Sequence, residues 1–246
     1  MRSLALALAF APLSPWLLLQ GRKVRRDTPR LAPAAGPASG VSVAPGRRPP
    51  LRLVAIGEST VAGVGATTHA LALTGQLAAR LAQVSGRSVS WRACGLSGAS
   101  VSVAHRLVLP TIDAGPADLL LVVFGVNDVL EHTQPARYAR QLQALIGALR
   151  AKSGEAPVMI AAAPPMARFP ALPRPLNCYL GARAALLNRA TRNIAIERAA
   201  HVAPLLPIEP GLFAADGFHP SAAGYTVWAG SLAQAALAAG FIQRPA

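Results

Sequence analysis

The segment "DGFHPS" near the C-terminus places Asp216 three residues before His219, with Gly217 and Pro220 interrupting regular structure around them. A carboxylate at this spacing can accept a hydrogen bond from an imidazole ring and hold it in one tautomer, as in a catalytic acid–base pair. An ordinary cap and turn uses the same residue types. The catalytic interpretation therefore depends on a nucleophile and hydrogen-bond donors elsewhere in the chain.

Three further positions follow apolar runs that are typical of buried strands. Ser59 lies in "GEST", Gly95 in "CGLSGAS" and Asn127 in "GVND". Taken singly, each has a local explanation, since serine caps helices, glycine permits tight turns and asparagine forms Asx-turns. Taken with the acid–base pair, they supply a nucleophile and donors for a developing oxyanion, which acyl transfer requires. Asp128 is expected to cap or brace its turn.

The elements that must position these residues alternate along the chain. Short apolar runs predict buried strands, and the segments between them have helical periodicity. The predicted strands span residues 51–56, 89–93, 119–124, 158–163 and 201–205. This alternation indicates an α/β fold, a three-layer α/β/α sandwich around a mostly parallel central sheet of about five strands. Because parallel strands end at one edge of the sheet, the candidate residues are expected to meet there.

The four blocks resemble those of the SGNH hydrolases, the GDSL-type esterase and lipase family, which has a flavodoxin-like sandwich fold. The resemblance implies that Ser59 is the nucleophile, that His219 is the general base and that Asp216 orients His219. It also implies an oxyanion hole formed by the backbone N–H groups of Ser59 and Gly95 and by the Asn127 side chain. No metal takes part in this arrangement.

The resemblance extends over residues 51–239 and departs from the family's usual first block at two positions. Glu58 stands where Asp is usual, and Thr60 stands where Leu is common. Ser59 is intact, so the departures bear on subfamily and substrate more than on catalysis. The commoner α/β-hydrolase fold is excluded, because the Ser59 block lacks the G-x-S-x-G nucleophile elbow and only one predicted strand precedes it.

The resemblance implies a carboxylic ester hydrolase, and short-chain or acetyl esters of small molecules, lipids or sugars are the expected substrates. An O-acyltransferase with the same residues and a non-catalytic binding protein on this fold are the alternatives. The Pro-rich segment 163–181 is expected either to wall an acyl pocket or to be a surface connection. No cofactor is expected, because the two cysteines and five histidines lack metal-binding spacing.

The first fifty residues differ in character from the rest of the chain. Residues 1–20 contain the apolar run "LALALAFAPLSPWLLL", which predicts a membrane anchor or a signal-like segment. Residues 21–49 are basic and Pro-rich, which predicts a linker before a hydrolase domain at 50–246. Because basic residues follow the apolar run, the positive-inside rule favours an uncleaved anchor with the domain on the cytoplasmic side. The alternatives are a shallow interfacial helix and export after signal cleavage.

The net charge of +14 suggests a nucleic-acid partner until its distribution is considered. Residues 1–50 carry eight Lys and Arg and one Asp, which is half of the net charge. The rest of the chain lacks interleaved aromatic and basic residues, so no nucleic-acid partner is expected. The catalytic domain is expected to be monomeric. One helix is predicted to present a solvated basic face made of Arg183, Arg189, Arg192 and Arg198.

Overall fold

A sheet of mostly parallel strands forms the middle layer of the protein. The computed structural model describes residues 2–46 and 48–243, and in that part of the chain the sheet has six strands. They are β1 (Ser39–Ser42), β2 (Leu51–Gly57), β3 (Val89–Gly95), β4 (Leu119–Val123), β5 (Val158–Ala161) and β6 (His201–Val202). Their spatial order is β1-β3-β2-β4-β5-β6, and β1 runs antiparallel to β3 while the other pairs are parallel.

Helices cover both faces of this sheet, which confirms the predicted sandwich. They are α1 (Arg2–Phe10), α2 (Ser14–Asp27), α3 (Leu73–Ser85), α4 (Val101–Leu107), α5 (Val126–Leu130), α6 (Pro135–Ser153), α7 (Leu176–Glu197) and α8 (Ala222–Ala238). On one face, α3 and α8 bury Leu77 and Leu232 in a shared core. On the other, α4, α6 and α7 cover the sheet, and Leu142 of α6 is fully buried. Truncating such a leucine to alanine costs about 2–5 kcal/mol of stability.

Local sequence features explain where the main helices and strands begin and end. All five residues of β4 are buried, because helices cover both faces of a parallel strand. Pro135 occupies the first turn of α6, where its missing N–H costs no helical hydrogen bond. Gly86 and Gly154 end α3 and α6 in the left-handed conformation, with φ of 65° and 72°.

The strand register sets the position of the candidate site. Gly57 at the end of β2 is paired with Gly95 of β3 on one side and with Val123 of β4 on the other. Three strands therefore end at the same level. The segments that follow them leave the sheet side by side, and these segments carry Ser59 and Asn127.

The sequence predicts a linker at residues 21–49, but part of this segment belongs to the sheet. Residues 39–42 form β1, which pairs with β3 at one edge. The N–H of Ala93 in β3 also donates to the carbonyl oxygen of Ala38 at 2.7 Å. β1 is short and partly exposed, so main-chain hydrogen bonds hold it without the apolar run by which a buried strand is recognised.

The apolar N-terminal run is helical but is not one continuous helix. A 3₁₀ turn at Ala11–Leu13 separates α1 from α2, because Pro12 and Pro15 interrupt the α-helical hydrogen bonding. The two helices pack against α7, where the rings of Phe10 and Tyr179 lie 5.3 Å apart. Within the described residues, no helix is both long and apolar enough to span a bilayer.

Arg183 departs from the predicted solvated face of α7. Its side chain is buried and donates to the carbonyl oxygens of Val129 and Thr133 at 3.3 and 3.2 Å. The reason is that the end of α5 lies against α7 here and offers carbonyl groups to a charged donor. The other three arginines of the predicted face are exposed, as expected: Arg189, Arg192 and Arg198.

Candidate active site

Ser59, His219 and Asp216 form a continuous chain of hydrogen bonds at the carboxyl edge of the sheet. Ser59 lies on the turn after β2, and the other two lie on the loop before α8. Nε2 of His219 is 2.9 Å from Oγ of Ser59, and Nδ1 is 2.6 Å from Oδ2 of Asp216. With Nδ1–H donating to the carboxylate, Nε2 is left as an acceptor for the serine hydroxyl. The structure thus brings together the predicted nucleophile, base and orienting acid.

The loop that carries the acid–base pair is held by its own backbone. Oδ1 of Asp216 accepts hydrogen bonds from the N–H groups of Phe218 and His219, both at 3.0 Å. The N–H of Ala214 donates to the carbonyl oxygen of His219 at 2.8 Å. Burial raises the pKa of Asp216, but the hydrogen bonds from the His219 ring and these N–H groups outweigh it and lower the pKa below its usual value. Asp216 is therefore ionised at neutral pH.

The turn that carries Ser59 begins as soon as β2 ends. The N–H groups of Val61 and Ala62 donate to the carbonyl oxygen of Glu58 at 3.1 and 3.0 Å, which closes the chain around Ser59. A Cβ atom at position 95 would clash with the backbone of Val61 and Ala62. Gly95 therefore lets the end of β3 approach the turn closely.

Asn127 lies in the first turn of α5, directly after β4. Its side-chain Nδ2 donates to Oε2 of Glu58 at 2.6 Å and to the carbonyl oxygen of Ala99 at 3.3 Å. Gly125 precedes the helix with φ of +135°, which favours glycine and turns the chain sharply from the sheet into α5. Asn127 thus lies at the predicted edge, with its amide bound to the residue that precedes Ser59.

Two buried carboxyl groups lie behind these residues. Burial raises the pKa of Glu58 to about 7, although the N–H groups of Asn127 and Val126 act in the opposite direction. Burial also raises the pKa of Asp128 to about 6, against the effect of the N–H of Val101. That N–H, at the start of α4, donates to Oδ2 of Asp128 at 3.0 Å. Asp128 therefore braces α5 against α4, as the sequence predicts.

An apolar cavity opens beside Ser59 and His219. Its empty volume is about 530 Å³, part of which is open to solvent. The ring centroid of Phe169 lies 5.1 Å from that of Phe218 and 5.6 Å from that of Phe213. The segment 163–181 contributes Pro164 and Phe169 to the wall, so it is more than a surface connection. The main apolar lining consists of Phe169, Leu205, Leu206, Phe213, Phe218 and Trp228.

A known protein family matches the part of the chain that carries the candidate site. The model of the GDSL-like lipase/acylhydrolase family matches residues 55–227, from β2 to α8. The chain belongs to this GDSL-like family. The resemblance drawn from the sequence is therefore confirmed.

Individual relatives agree with the GDSL-like assignment. The GDSL-like esterase Rv1075c of Mycobacterium tuberculosis is 28% identical over 188 residues, which cover 72% of this chain and 59% of that protein. The chain thus spans less than two thirds of that relative's length. The crystal structure of TesA has a TM-score of 0.60 at 19% identity, covering 76% of this chain and 99% of TesA. For Est24, a carbohydrate acetylesterase from Sinorhizobium meliloti, the TM-score is 0.57 at 18% identity, with the same coverage. The two solved structures show a shared fold.

Two features around the five predicted site residues were not predicted from the sequence. Glu58 was expected only as a departure from the usual motif, whereas its side chain binds Asn127. Phe213, which precedes the acid–base pair, and Phe218, which lies between its two members in sequence, were also given no role, although both line the cavity. The available signals were an ionisable residue at the end of an apolar strand and two aromatic residues in a chain poor in them.

Proposed function

We propose that this GDSL-like protein is a serine hydrolase of carboxylic esters. The observation that carries the proposal is the hydrogen-bonded chain Ser59–His219–Asp216, with Nε2 of His219 2.9 Å from Oγ of Ser59. A serine hydroxyl is a weak nucleophile by itself and needs a base within hydrogen-bond reach. An ionised Asp216 in turn stabilises the imidazolium that forms when His219 takes the proton.

The proposed reaction proceeds in two halves. In the first, Oγ of Ser59 bonds to the acyl carbon while its proton passes to Nε2 of His219, which then protonates the departing alcohol. In the second, water attacks the acyl-serine, its proton passes to His219, and Ser59 recovers the proton as the acid leaves. We propose that the N–H groups of Ser59 and Gly95 and the Asn127 amide bind the oxyanion in both halves.

The apolar cavity suits the acyl group of the substrate. Its aromatic and aliphatic walls adjoin Ser59, so an acyl chain attached to the serine can enter it without burying a polar group unpaired. We propose short-chain or acetyl esters as substrates. A structural neighbour described as a carbohydrate acetylesterase supports this class.

The direct test measures hydrolysis of p-nitrophenyl acetate, butyrate and octanoate by the full chain. We expect turnover that is highest for the shorter esters and that falls by roughly 10⁶-fold in Ser59→Ala. Circular dichroism of the variant checks that it is folded. Equal turnover in Ser59→Ala would exclude Ser59 as the nucleophile.

Two other results of the same assay identify the alternative functions. Release of p-nitrophenol only when an acceptor alcohol is added would indicate an acyltransferase. Saturable ester binding without turnover by folded wild-type protein would indicate a non-catalytic binding protein.

We also propose that α1 and α2 attach the protein to a membrane surface, with the hydrolase domain on the cytoplasmic side. Five large apolar side chains of this region are exposed: Leu8, Leu13, Trp16, Leu18 and Leu19. Four exposed basic side chains follow them within α2: Arg22, Lys23, Arg25 and Arg26. Apolar side chains beside a basic cluster suit the interface of an anionic bilayer, with the apolar groups among the acyl chains and the cations at the phosphates.

Flotation with phospholipid vesicles tests this attachment. We expect binding to phosphatidylcholine vesicles that contain phosphatidylglycerol, and loss of binding in Trp16→Gln/Leu19→Gln. The control is Ile196→Gln, because Ile196 is an apolar residue on α7 that is more exposed than either, 83% accessible to solvent. Equal flotation of the double variant and wild type would contradict the proposal.

A further inference from the structure

Glu58 immediately precedes the proposed nucleophile, yet its side chain points into the protein. It is only 4% exposed and reaches the junction between β4 and α5. Oε1 accepts a hydrogen bond from the N–H of Val126 at 3.2 Å. Oε2 accepts two from Asn127, from its N–H at 3.0 Å and from its side-chain Nδ2 at 2.6 Å. All three contacting groups donate, so the site suits a group that only accepts hydrogen bonds, as an ionised carboxylate does.

These contacts fix Asn127 at two points. Its backbone N–H and its side-chain amide bind the same carboxylate oxygen, which restricts rotation of the side chain. The other hydrogen of Nδ2 makes only a long contact, 3.3 Å, with the carbonyl oxygen of Ala99. A bond of that length is easily exchanged for a stronger one to a negatively charged oxygen.

We propose that ionised Glu58 is a positioning residue that holds one N–H of the Asn127 amide so that the other is directed at the oxyanion. This inference rests on the proposed esterase function and adds a requirement to it. Glu58 does not touch the substrate in this role. It acts through Asn127, and the residue usual at this position in the family, Asp, is one methylene shorter.

The surroundings of Glu58 make its charge sensitive to pH. In the described part of the chain, Glu58 takes part in no ion pair with a Lys or Arg. The neighbouring carboxyl group of Asp128 on α5 raises the pKa of Glu58 further, beyond the effect of burial. Tyr138 on α6 also faces this group, but its hydroxyl is bonded to Thr191 and its own pKa is raised by burial.

Protonation of Glu58 therefore disrupts the arrangement. A protonated carboxyl group carries an O–H donor, which must turn toward one of three N–H donors or leave them. Because the pKa of Glu58 is about 7, this change falls near neutral pH. Ester hydrolysis should then require the loss of the Glu58 proton as pH rises.

Steady-state kinetics of Glu58→Gln, measured on the full chain with p-nitrophenyl acetate, test the proposal. Glutamine keeps the size of the side chain but turns an NH₂ group against an N–H donor. We expect kcat to fall by roughly 10²-fold with KM nearly unchanged, as for loss of an oxyanion donor. Glu58→Asp, which keeps the charge, should recover part of this loss. The matched control is Glu209→Gln, at an exposed position.

The pH dependence of kcat/KM distinguishes this role from a purely structural one, because a structural role of Glu58 would not change it. On the acid side, log kcat/KM should fall more steeply for wild type than for Glu58→Gln, by about one unit of slope, because only wild type must lose the Glu58 proton. Identical slopes, or wild-type kcat in Glu58→Gln, would overturn the proposal while leaving Ser59-dependent hydrolysis intact.

The side-chain amide resonance of Asn127 in ¹⁵N-labelled protein gives a measurement independent of activity. Its shift should titrate near the pKa of Glu58 in wild type and should stop titrating there in Glu58→Gln. The resonance is identified by its loss in Asn127→Ala. Titration in a protein that hydrolyses no ester would retain the Glu58–Asn127 coupling and reject the esterase function. Absence of titration in an active wild type would reject the coupling alone.

Discussion

The two halves of the candidate site are built in different ways. On the acid–base side, Asp216 binds the ring and the backbone N–H of His219, three residues away, within one closed loop. On the proposed oxyanion side, Glu58, Gly95 and Asn127 come from the ends of three different strands. The acid–base geometry is therefore local, whereas the oxyanion geometry depends on the register of the whole sheet. Substitutions should separate the two halves by the size and the kind of their effects.

The largest effect in this comparison is expected at Asp216. Asp216→Asn replaces the acceptor for Nδ1–H of His219 with an amide that can stabilise the wrong tautomer, so kcat should fall by roughly 10⁴-fold. Circular dichroism should be unchanged, because asparagine has nearly the same size and shape as aspartate. The control is Asp113→Asn, since Asp113 is an exposed carboxylate that pairs with Arg92. A loss no larger than about tenfold would mean that the acid–base side does not act as a unit.

A smaller effect is expected on the oxyanion side. Asn127→Ala removes one donor and leaves the others, so kcat should fall by roughly 10²–10³-fold with little change in KM. The matched control is Asn193→Ala, at an exposed position of α7. If the variant instead raised KM at constant kcat, Asn127 would bind substrate rather than the transition state.

The smallest effect concerns stability rather than rate. The pKa of Glu58 is about 7 in the folded protein against an ordinary value of 4.5, so the folded state keeps a proton that the unfolded chain has lost between these values. Stability contributed by this proton is present at low pH and is lost as pH rises through the window. Relative to Glu58→Gln, the wild type should lose about 2 kcal/mol of unfolding free energy between roughly pH 5 and pH 8.

Urea unfolding of both proteins at the two pH values measures this difference. The fold-wide contributions of other titrating groups cancel, because both proteins contain them. A difference that stays constant with pH would mean that Glu58 titrates as it does in the unfolded chain.

The same contrast explains which features the sequence could predict. Asp216 and His219 were predictable because their geometry follows from a spacing of three residues and the turn chemistry between them. The strand ends at Ser59, Gly95 and Asn127 were predictable as neighbours, because parallel strands end together. The partner of Glu58 was not, since the contact joins residues 69 positions apart and requires the pairing of β2 with β4 to be known.

Outside the site, two features were not predicted from the sequence for a similar reason. Arg183 lies on α7 at a position that periodicity assigns to solvent, and only the approach of α5 makes it a buried donor to Val129 and Thr133. β1 escaped notice because an edge strand held by main-chain hydrogen bonds has no side-chain signature. Contacts made by backbone carbonyls and N–H groups do not depend on residue type, so the sequence does not reveal them. Burial favours apolar residues and can therefore be read from the sequence.

The edge position of β1 has a practical consequence for aggregation. β1 occupies the hydrogen-bonding groups along the outer side of β3. A hydrolase domain cut at the predicted boundary, residue 50, would leave β3 as an open edge and a template for pairing between molecules. A chain trimmed before Ser39 keeps this edge closed and should stay monodisperse at concentrations where the shorter form precipitates. The predicted linker segment thus also contains the strand, β1, that protects the sheet edge from pairing between molecules.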